Sequence, residues 1–444
     1  MKYKIKELEF SIPSYEYFEL IKNNDWAVYL NSNNNKYHDQ RYDILSSNPI
    51  NKIILSSEYS SSDVTKDNIF NILEKNINMH KCEEDDDIPF CGGAIGFMSY
   101  DFGNTLHNIK NKKNKDFDYP LAAFGIYDWC ITYDYLKEKS FILYYEKNNI
   151  ISKILNHRSE KNEIKKYKAY KSTSSCESNM NYDLYKSKIS KISNYIKSGD
   201  CYQVNFAQRF SLGYEGDEYS MYKTLNKSFA SPYSAYINYP FGNILSFSPE
   251  RFLSIKNNLV ETKPIKGTRP RSDDEVLDKK NLDELRLSDK DKAENLMIVD
   301  LLRNDLGKIC KMNSIKVEEL YHIKTFKTIN HMVSKIIGKL NSNVDEFEII
   351  KALFPGGSIT GAPKESAMKI IDAIESKPRN IYTGSIGYIK PNGDMSFNIS
   401  IRTLLNYKNQ YEYGIGGGIV WDSDENDEWN EAQHKSKILS SLIK

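Results

Sequence analysis

The chain carries 61 basic and 60 acidic side chains over 444 residues, a net charge of +1. That balance argues against a general binder of nucleic acid or of membrane surfaces, which carries a basic excess, and no apolar run approaches the length of a membrane span. The length allows two or three domains or one large α/β unit.

The opening stretch MKYKIKELEFSIPSY alternates polar and apolar residues like a strand. It lacks the apolar core and small-residue cleavage site of a signal peptide, so the expected location is the cytoplasm. Six cysteines stand at 82, 91, 130, 176, 201 and 310. None forms a CxxC pair, so neither a zinc site nor a disulfide framework is expected.

Residues 1–150 read as a first region. Trp26–Leu30 suits a buried strand and Arg41–Leu45 another. Between 66 and 78, Ile69, Phe70, Ile72, Leu73 and Ile77 recur at helical spacing. The acidic run Glu83–Asp87 reads as a solvated loop. Gly92-Gly93-Ala94-Ile95-Gly96-Phe97 permits close backbone approach. A nucleotide loop would need a helix N-terminus next, and Met98-Ser99-Tyr100-Asp101 does not supply it at the right spacing. Residues 121–135 and 140–146 resemble an antiparallel pair.

Residues 151–181, rich in Lys, Ser and Asn, are expected to begin helical and finish as a flexible linker, with a boundary near 178. A second region, 182–444, opens with a helix through Tyr185, Ile189, Ile192 and Ile196 that stops at Gly199. Asp200–Phe206 turns the chain into a strand. Phe247–Arg271 reads as two short strands with a turn at Lys256-Asn257-Asn258, then a Gly-Thr corner. Helices are predicted over 288–309, closed by Arg303–Gly307, over 345–353, and near 364–376 after Pro355–Lys364. Turns at Pro391–Asp394 and Lys408–Gln410 divide the strand-rich C-terminal part. Gly416-Gly417-Gly418 interrupts its last strands, and a final helix covers about 426–443.

Two of these helices present carboxylate pairs one turn apart, Asp291/Glu294 and Glu428/Glu431. Such pairs are commonly plain surface acid; facing each other they suit magnesium, which takes a few carboxylates and keeps several waters. Calcium fits less well. Asp422–Asn426 begins like an EF-hand loop, but Asp427 stands where glycine is required and Gln433 where Glu is required. Gly361-Ala362-Pro363-Lys364 excludes a Walker A loop. Pro363 fits a first helical turn that Ser358 or Thr360 would cap. Arg402, inside a strand pattern, needs a partner, either a substrate carboxylate or an internal acid. His331 among apolar neighbours is more often a satisfied core residue than a catalyst. Glu250 and Lys266, taken alone, are ordinary hairpin residues.

Together these stretches do more. Gly199–Asn205, Ser248–Phe252, Pro264–Thr268, Ala293–Gly307, His331–Ser334, Gly357–Lys364, Tyr382–Gly384, Ile401–Thr403 and Gly416–Val420 occur in the order found in the chorismate-utilising enzymes. The chain resembles that family over about 182–440, and WAVYLNS (26–32), RYDIL (41–45), GGAIGF (92–97) and GIYDW (125–129) resemble its N-terminal part. The resemblance implies an α/β fold of α+β type, with two stacked antiparallel sheets flanked by helices.

Two positions divide the family. Lys266 stands where component I of anthranilate synthase, the alternative reading, usually has alanine. Lysine there resembles the branch that exchanges the C4 hydroxyl of chorismate for an amino group. Gln203 replaces the water-activating lysine of isochorismate and salicylate synthases, and without that base water is a poor nucleophile.

By the same resemblance Lys266 is the nucleophile, with a pKa lowered by burial or nearby cations, and Glu250 is the general acid/base. Mg2+ is held by Glu294 and Glu431, with Asp291 and Glu428 near. Arg402 and Tyr382 hold the enolpyruvyl carboxylate. The backbone of Gly416, Gly417 and Gly418 approaches substrate, Lys435 lies by the ring carboxylate, and Thr268 and His331 complete the site. Ser32 ends a segment where relatives hold tryptophan. Ala432 departs from the threonine that commonly follows the Glu431 position, which removes a supporting hydroxyl and no ligand. No nucleophile-elbow cysteine with downstream His and Glu is found, so ammonia is expected from a separate glutamine amidotransferase subunit.

Overall fold

A computed structural model describes residues 3–34, 41–56, 64–78, 88–109, 113, 118–157, 170–326, 329–436 and 438. The acidic run 83–87 and the end of the final predicted helix lie outside them.

Two antiparallel sheets dominate the described residues, one of 13 strands and one of 10. Both draw strands from each half of the sequence. Val28–Asn31 pairs with Tyr233–Ile237 in the larger sheet, and Gly93–Met98 pairs with Ser385–Ile389 in the smaller. The proposed boundary near 178 therefore does not separate two sheets.

Alternation along the strands builds the layers. In the larger sheet Val28, Ile44 and Ile244 face Phe97, Ala123 and Ile386 of the smaller one, forming the core between sheets. Their neighbours Tyr29, Leu45 and Leu245 point the other way. There they meet Tyr17 and Phe18 of helix Ser14–Glu19 and Tyr219 and Tyr222 of helix Glu218–Phe229. The outer face of the smaller sheet is covered by helices that include Ile69–Asn78, Asp289–Gly307 and Glu346–Leu353. This is the expected arrangement of two stacked sheets flanked by helices.

Several local expectations are corrected. The stretch 121–135 is not one strand: Ala122–Tyr127 lies in the smaller sheet and Trp129–Asp134 in the larger, with Asp128 at the crossing. The predicted helix 288–309 is preceded by a second, Glu275–Leu287, and Ser288 ends one and caps the other. The end of the expected linker is ordered, since Lys171–Ser172 and Glu177–Ser178 pair with strand Gln203–Glu215. A helix does start at Tyr100, capped by Ser99. The glycines before it serve strand packing, because a Cβ on Gly96 would lie 2.0 Å from the Ala123 carbonyl oxygen. Cys130, Cys176, Cys201 and Cys310 are free thiols. Cys91 is disulfide-bonded, a cross-link that carries no spacing signature.

Candidate active site

Two chain crossings between the sheets lie side by side. Strand Ile244–Ser248 belongs to the larger sheet and Arg251–Lys256 to the smaller, so Pro249-Glu250 makes one crossing. Met395–Asn398 and Thr403–Tyr407 bracket the other, which carries Arg402. The Ile399 amide donates to the Glu250 carbonyl at 3.0 Å, and the Phe247 amide to the Arg402 carbonyl at 3.0 Å. Crossings have spent their ladder hydrogen bonds elsewhere, which leaves side chains there free to face a cleft.

Lys266 reaches this place through a β-bulge. Strand Ile265–Pro270 pairs with Ile329–Lys339 at Ile265↔Val333 and Thr268↔His331. Lys266 and Gly267 therefore oppose the single residue Met332, which re-aims the lysine. Gly267 has φ +83 and its missing Cβ would lie 2.9 Å from Asp291 Cγ, so only glycine fits the corner.

Glu250 is 4 % exposed, and burial pushes its carboxyl up to about 7 despite a hydrogen bond from Ser358 and the charge of Lys266. Ser358 Oγ donates to Glu250 Oε1 at 2.7 Å, and Lys266 Nζ donates to the Ser358 carbonyl at 3.4 Å. Burial draws the Lys266 amine below its usual range, opposed by Glu294 and Glu250 and assisted by Lys435. Both groups are thus moved toward their neutral forms, a pairing suited to an acid and a nucleophile working together near pH 7.

Arg402 is left with φ 51 and no carboxylate partner among the described residues. Burial lowers its pKa, with Tyr413 the one opposing influence. The internal ion pair allowed by the sequence is not formed among the described residues. Beside it His331, 2 % exposed, is driven down to about 3 by burial and by Arg402. It is therefore neutral, bonded through Nδ1 to Thr268 Oγ1 at 2.8 Å, with Nε2 unpartnered among the described residues.

The opposite wall comes from strands Gln203–Glu215 and Gln410–Ile419, paired at Asn205↔Gly418 and Ala207↔Gly416. A Cβ on Gly418 would lie 2.0 Å from Gln203 Nε2, and one on Gly416 2.8 Å from the buried Tyr382 hydroxyl. Gly417 faces Glu428, and Lys435 Nζ holds the Gly416 carbonyl at 3.0 Å and Glu431 at 2.6 Å.

The four acids divide. Asp291 is ion-paired with Arg269 at 3.2 Å. Burial raises Glu294, with Lys266 and Lys290 opposing and Asp291 and Glu431 adding to the rise. Burial and Glu431 raise Glu428, opposed by a bond from Ser423. Burial works against Glu431 too, but Lys435 brings it below the usual range. Glu431 acts on both Glu294 and Glu428, so carboxylates of helices Asp289–Gly307 and Glu425–Lys435 lie near enough to feel one another's charge. No group of three His, Cys, Asp or Glu side chains is arranged to chelate an ion by itself among the described residues. An all-oxygen set with few protein ligands fits magnesium, which retains waters and uses substrate oxygens, better than it fits zinc or calcium.

Residues 27–441 match the family model described as chorismate binding enzyme. The chain belongs to the chorismate binding enzyme family. It is 38% identical over 437 residues to aminodeoxychorismate synthase component 1 of Escherichia coli, with 96% of each chain covered. It is 36% identical over 359 residues to anthranilate synthase component 1 of Saccharolobus solfataricus, covering 80% of this chain and 82% of that one. Among solved structures, anthranilate synthase component I of Streptococcus pneumoniae superposes with a TM-score of 0.77 at 27% identity, over 91% of this chain and 93% of that one. The isochorismate synthase MenF of E. coli superposes with a TM-score of 0.76 at 16% identity, over 100% and 94%, a likeness of fold alone.

In this chorismate binding enzyme, Ser32 lines a cavity with Pro232, Tyr233, Tyr388 and Asn398, the last of these at the end of the strand that leads into the Arg402 crossing. Its hydroxyl donates to the buried Asp43 at 2.9 Å. The sequence reading missed Ser358 as a site residue. The sequence allows Ser358 or Thr360 as the helix cap, but helix Lys364–Ile374 starts after Pro363 with no side-chain cap, and Thr360 Oγ1 bonds back to Gly356. A short 3-10 turn, Gly357–Ile359, and pairing of Gly361–Ala362 with strand Gln203–Glu215 carry Ser358 away from the helix start.

Proposed function

We propose that this chain converts chorismate and ammonia into 4-amino-4-deoxychorismate, the amino group replacing the C4 hydroxyl. The observation that carries the reading is the placement of Lys266 and Glu250, both moved toward neutrality, against one turn at Ser358. The 35–38% identity over 96% of the chain to enterobacterial aminodeoxychorismate synthase components 1 supports it.

In the proposed route the neutral Lys266 amine attacks C2 of chorismate. The two ring double bonds, C1=C2 and C5=C6, shift to C1=C6 and C4=C5, and the C–O bond at C4 breaks. Glu250 gives its proton to the departing hydroxyl, which leaves as water. The ammonium formed at C2 passes a proton back to the Glu250 carboxylate. Ammonia then adds at C4 as an ammonium group, the two double bonds return to C1=C2 and C5=C6, and the lysine departs as its neutral amine with the proton returned by Glu250, so atoms and charge balance. Arg402 and Tyr382 anchor the enolpyruvyl carboxylate, the guanidinium bidentately. Neutral His331 with Thr268 donates without adding charge. Lys435 stands by the ring carboxylate, and the Gly416–Gly418 backbone borders the substrate. Magnesium, when bound through Glu294 and Glu431 with Asp291 and Glu428 near, supplies neutralisation of the ring carboxylate.

Ammonia comes from glutamine through a separate amidotransferase subunit, as the "component 1" in the relatives' names implies for them. A lyase then releases 4-aminobenzoate for folate synthesis. The cavity lined by Ser32 is proposed as a tryptophan site on the family resemblance of the segment that ends there. No helix among the described residues is long and apolar enough to cross a membrane, which accords with a cytoplasmic setting.

The second reading, anthranilate synthase component 1, is favoured by the 36% identity to the Saccharolobus protein. Lys266 tells against it. The covalent route is tested with Lys266→Ala, assayed with ammonium in place of glutamine. Amination is expected to fall by roughly a thousandfold or more, as for other nucleophile deletions; unchanged formation of the aminated product would refute the route.

A further inference from the structure

The Glu250 carboxylate is asymmetric. Oε1 accepts from Ser358 Oγ at 2.7 Å and, at the long distance of 3.5 Å, from the Ile265 amide. Oε2 accepts no hydrogen bond among the described residues. The turn that carries Ser358 is fixed from three sides. Gly357 packs against Leu301 of helix Asp289–Gly307 so tightly that a Cβ would lie 2.7 Å from Leu301 Cδ2. Arg379 Nη1 donates to the Ile359 carbonyl at 3.1 Å. The Asn205 amide donates to the Thr360 carbonyl at 2.8 Å. A hydroxyl on so rigid a turn has one place to point, and it is spent on a single carboxylate oxygen. The same residue's carbonyl receives the Lys266 amine.

We propose that Ser358 is the positioning residue of the reaction: its hydroxyl reserves Oε1 of Glu250 as an acceptor, so that the transferable proton sits on Oε2, while its carbonyl locates the Lys266 amine. A donor on Oε1 excludes a proton from that oxygen, so protonated Glu250 presents its O–H from Oε2 to the departing C4 hydroxyl, which leaves as water. One residue thus sets the acid and the nucleophile in register. The inference rests on the proposed roles of Glu250 and Lys266.

A donated hydrogen bond favours the ionised carboxylate, so removing it raises the carboxyl further. The test is the pH profile of kcat/KM for chorismate, with ammonium as nitrogen source, for Ser358→Ala, Ser358→Thr and Glu250→Gln. For Ser358→Ala the limb on which activity is lost as Glu250 ionises should move up by roughly half a unit to one unit. kcat should fall roughly tenfold. The lysine limb should stay, because Lys266 engages the carbonyl that alanine retains. Ser358→Thr, which keeps the hydroxyl, should restore the limb. Should Ser358→Ala not fold, Ser358→Cys, a weak donor of similar size, should show the same upward shift. A limb unmoved in the folded alanine or cysteine variant would overturn the inference, as would an equal loss of kcat in Ser358→Ala and Ser358→Thr with no shift. Glu250→Gln separates the two levels: if it keeps full activity the acid role itself is wrong, whereas an inactive Glu250→Gln with an unshifted Ser358→Ala rejects Ser358 alone.

Discussion

Lys364 Nζ lies 2.6 Å from Asp305 Oδ2, with the side chains 6 % and 2 % exposed. The pair ties helix Asp289–Gly307, which carries Glu294, to the helix that follows the Ser358 turn. Lys364 also donates to the Leu353 carbonyl at 2.7 Å. Its removal strands a buried carboxylate that, among the described residues, only Lys308 still pairs with, at 2.9 Å. Lys364→Met should therefore lower stability by about 3 kcal/mol in urea unfolding. The double change Lys364→Met with Asp305→Leu should cost less than the single one, since both charges leave together.

Glu250 links function to stability through its raised carboxyl. The folded value of about 7 lies above the ordinary 4.5, so its contribution to stability is full below the ordinary value and is lost as pH rises through about 7. The loss amounts to roughly 3 kcal/mol between pH 5 and pH 8. Glu250→Gln should gain stability over the native protein at pH 8 and little at pH 5, measured by thermal unfolding, while losing roughly 10²–10⁴-fold in kcat. A Glu250→Gln protein no more stable than the native one at pH 8 would show that the carboxyl is not raised.

Arg402 is expected to separate binding from folding. With no carboxylate partner among the described residues and burial working against its charge, the guanidinium gives the fold little. Arg402→Ala should raise KM for chorismate roughly 10- to 100-fold, the worth of a charge-assisted pair. Its melting temperature should not fall. A large drop in melting temperature with unchanged KM would assign Arg402 to structure.

The residues proposed to react are legible in the sequence because short motifs carry them: Pro264–Thr268 holds Lys266 and Ser248–Phe252 holds Glu250. Strand periodicity also found most elements, since alternation and helical spacing are local properties. What stayed hidden is non-local. Nothing in 121–135 marks Asp128 as a crossing between sheets, because both halves are equally apolar and buried. Nothing near Gly357–Lys364 shows that Ser358 serves a carboxylate 108 positions away instead of capping the next helix. The bulge that aims Lys266 depends on its pairing partner Ile329–Lys339, so only the glycine at 267 hinted at it.

The central claim is the site of nitrogen transfer, and the products of incubating the protein with chorismate, magnesium and an ammonium salt test it most directly. Consumption of chorismate without pyruvate, giving a product that only a lyase converts to 4-aminobenzoate, is the predicted result. Fluorescent anthranilate released together with pyruvate would contradict it.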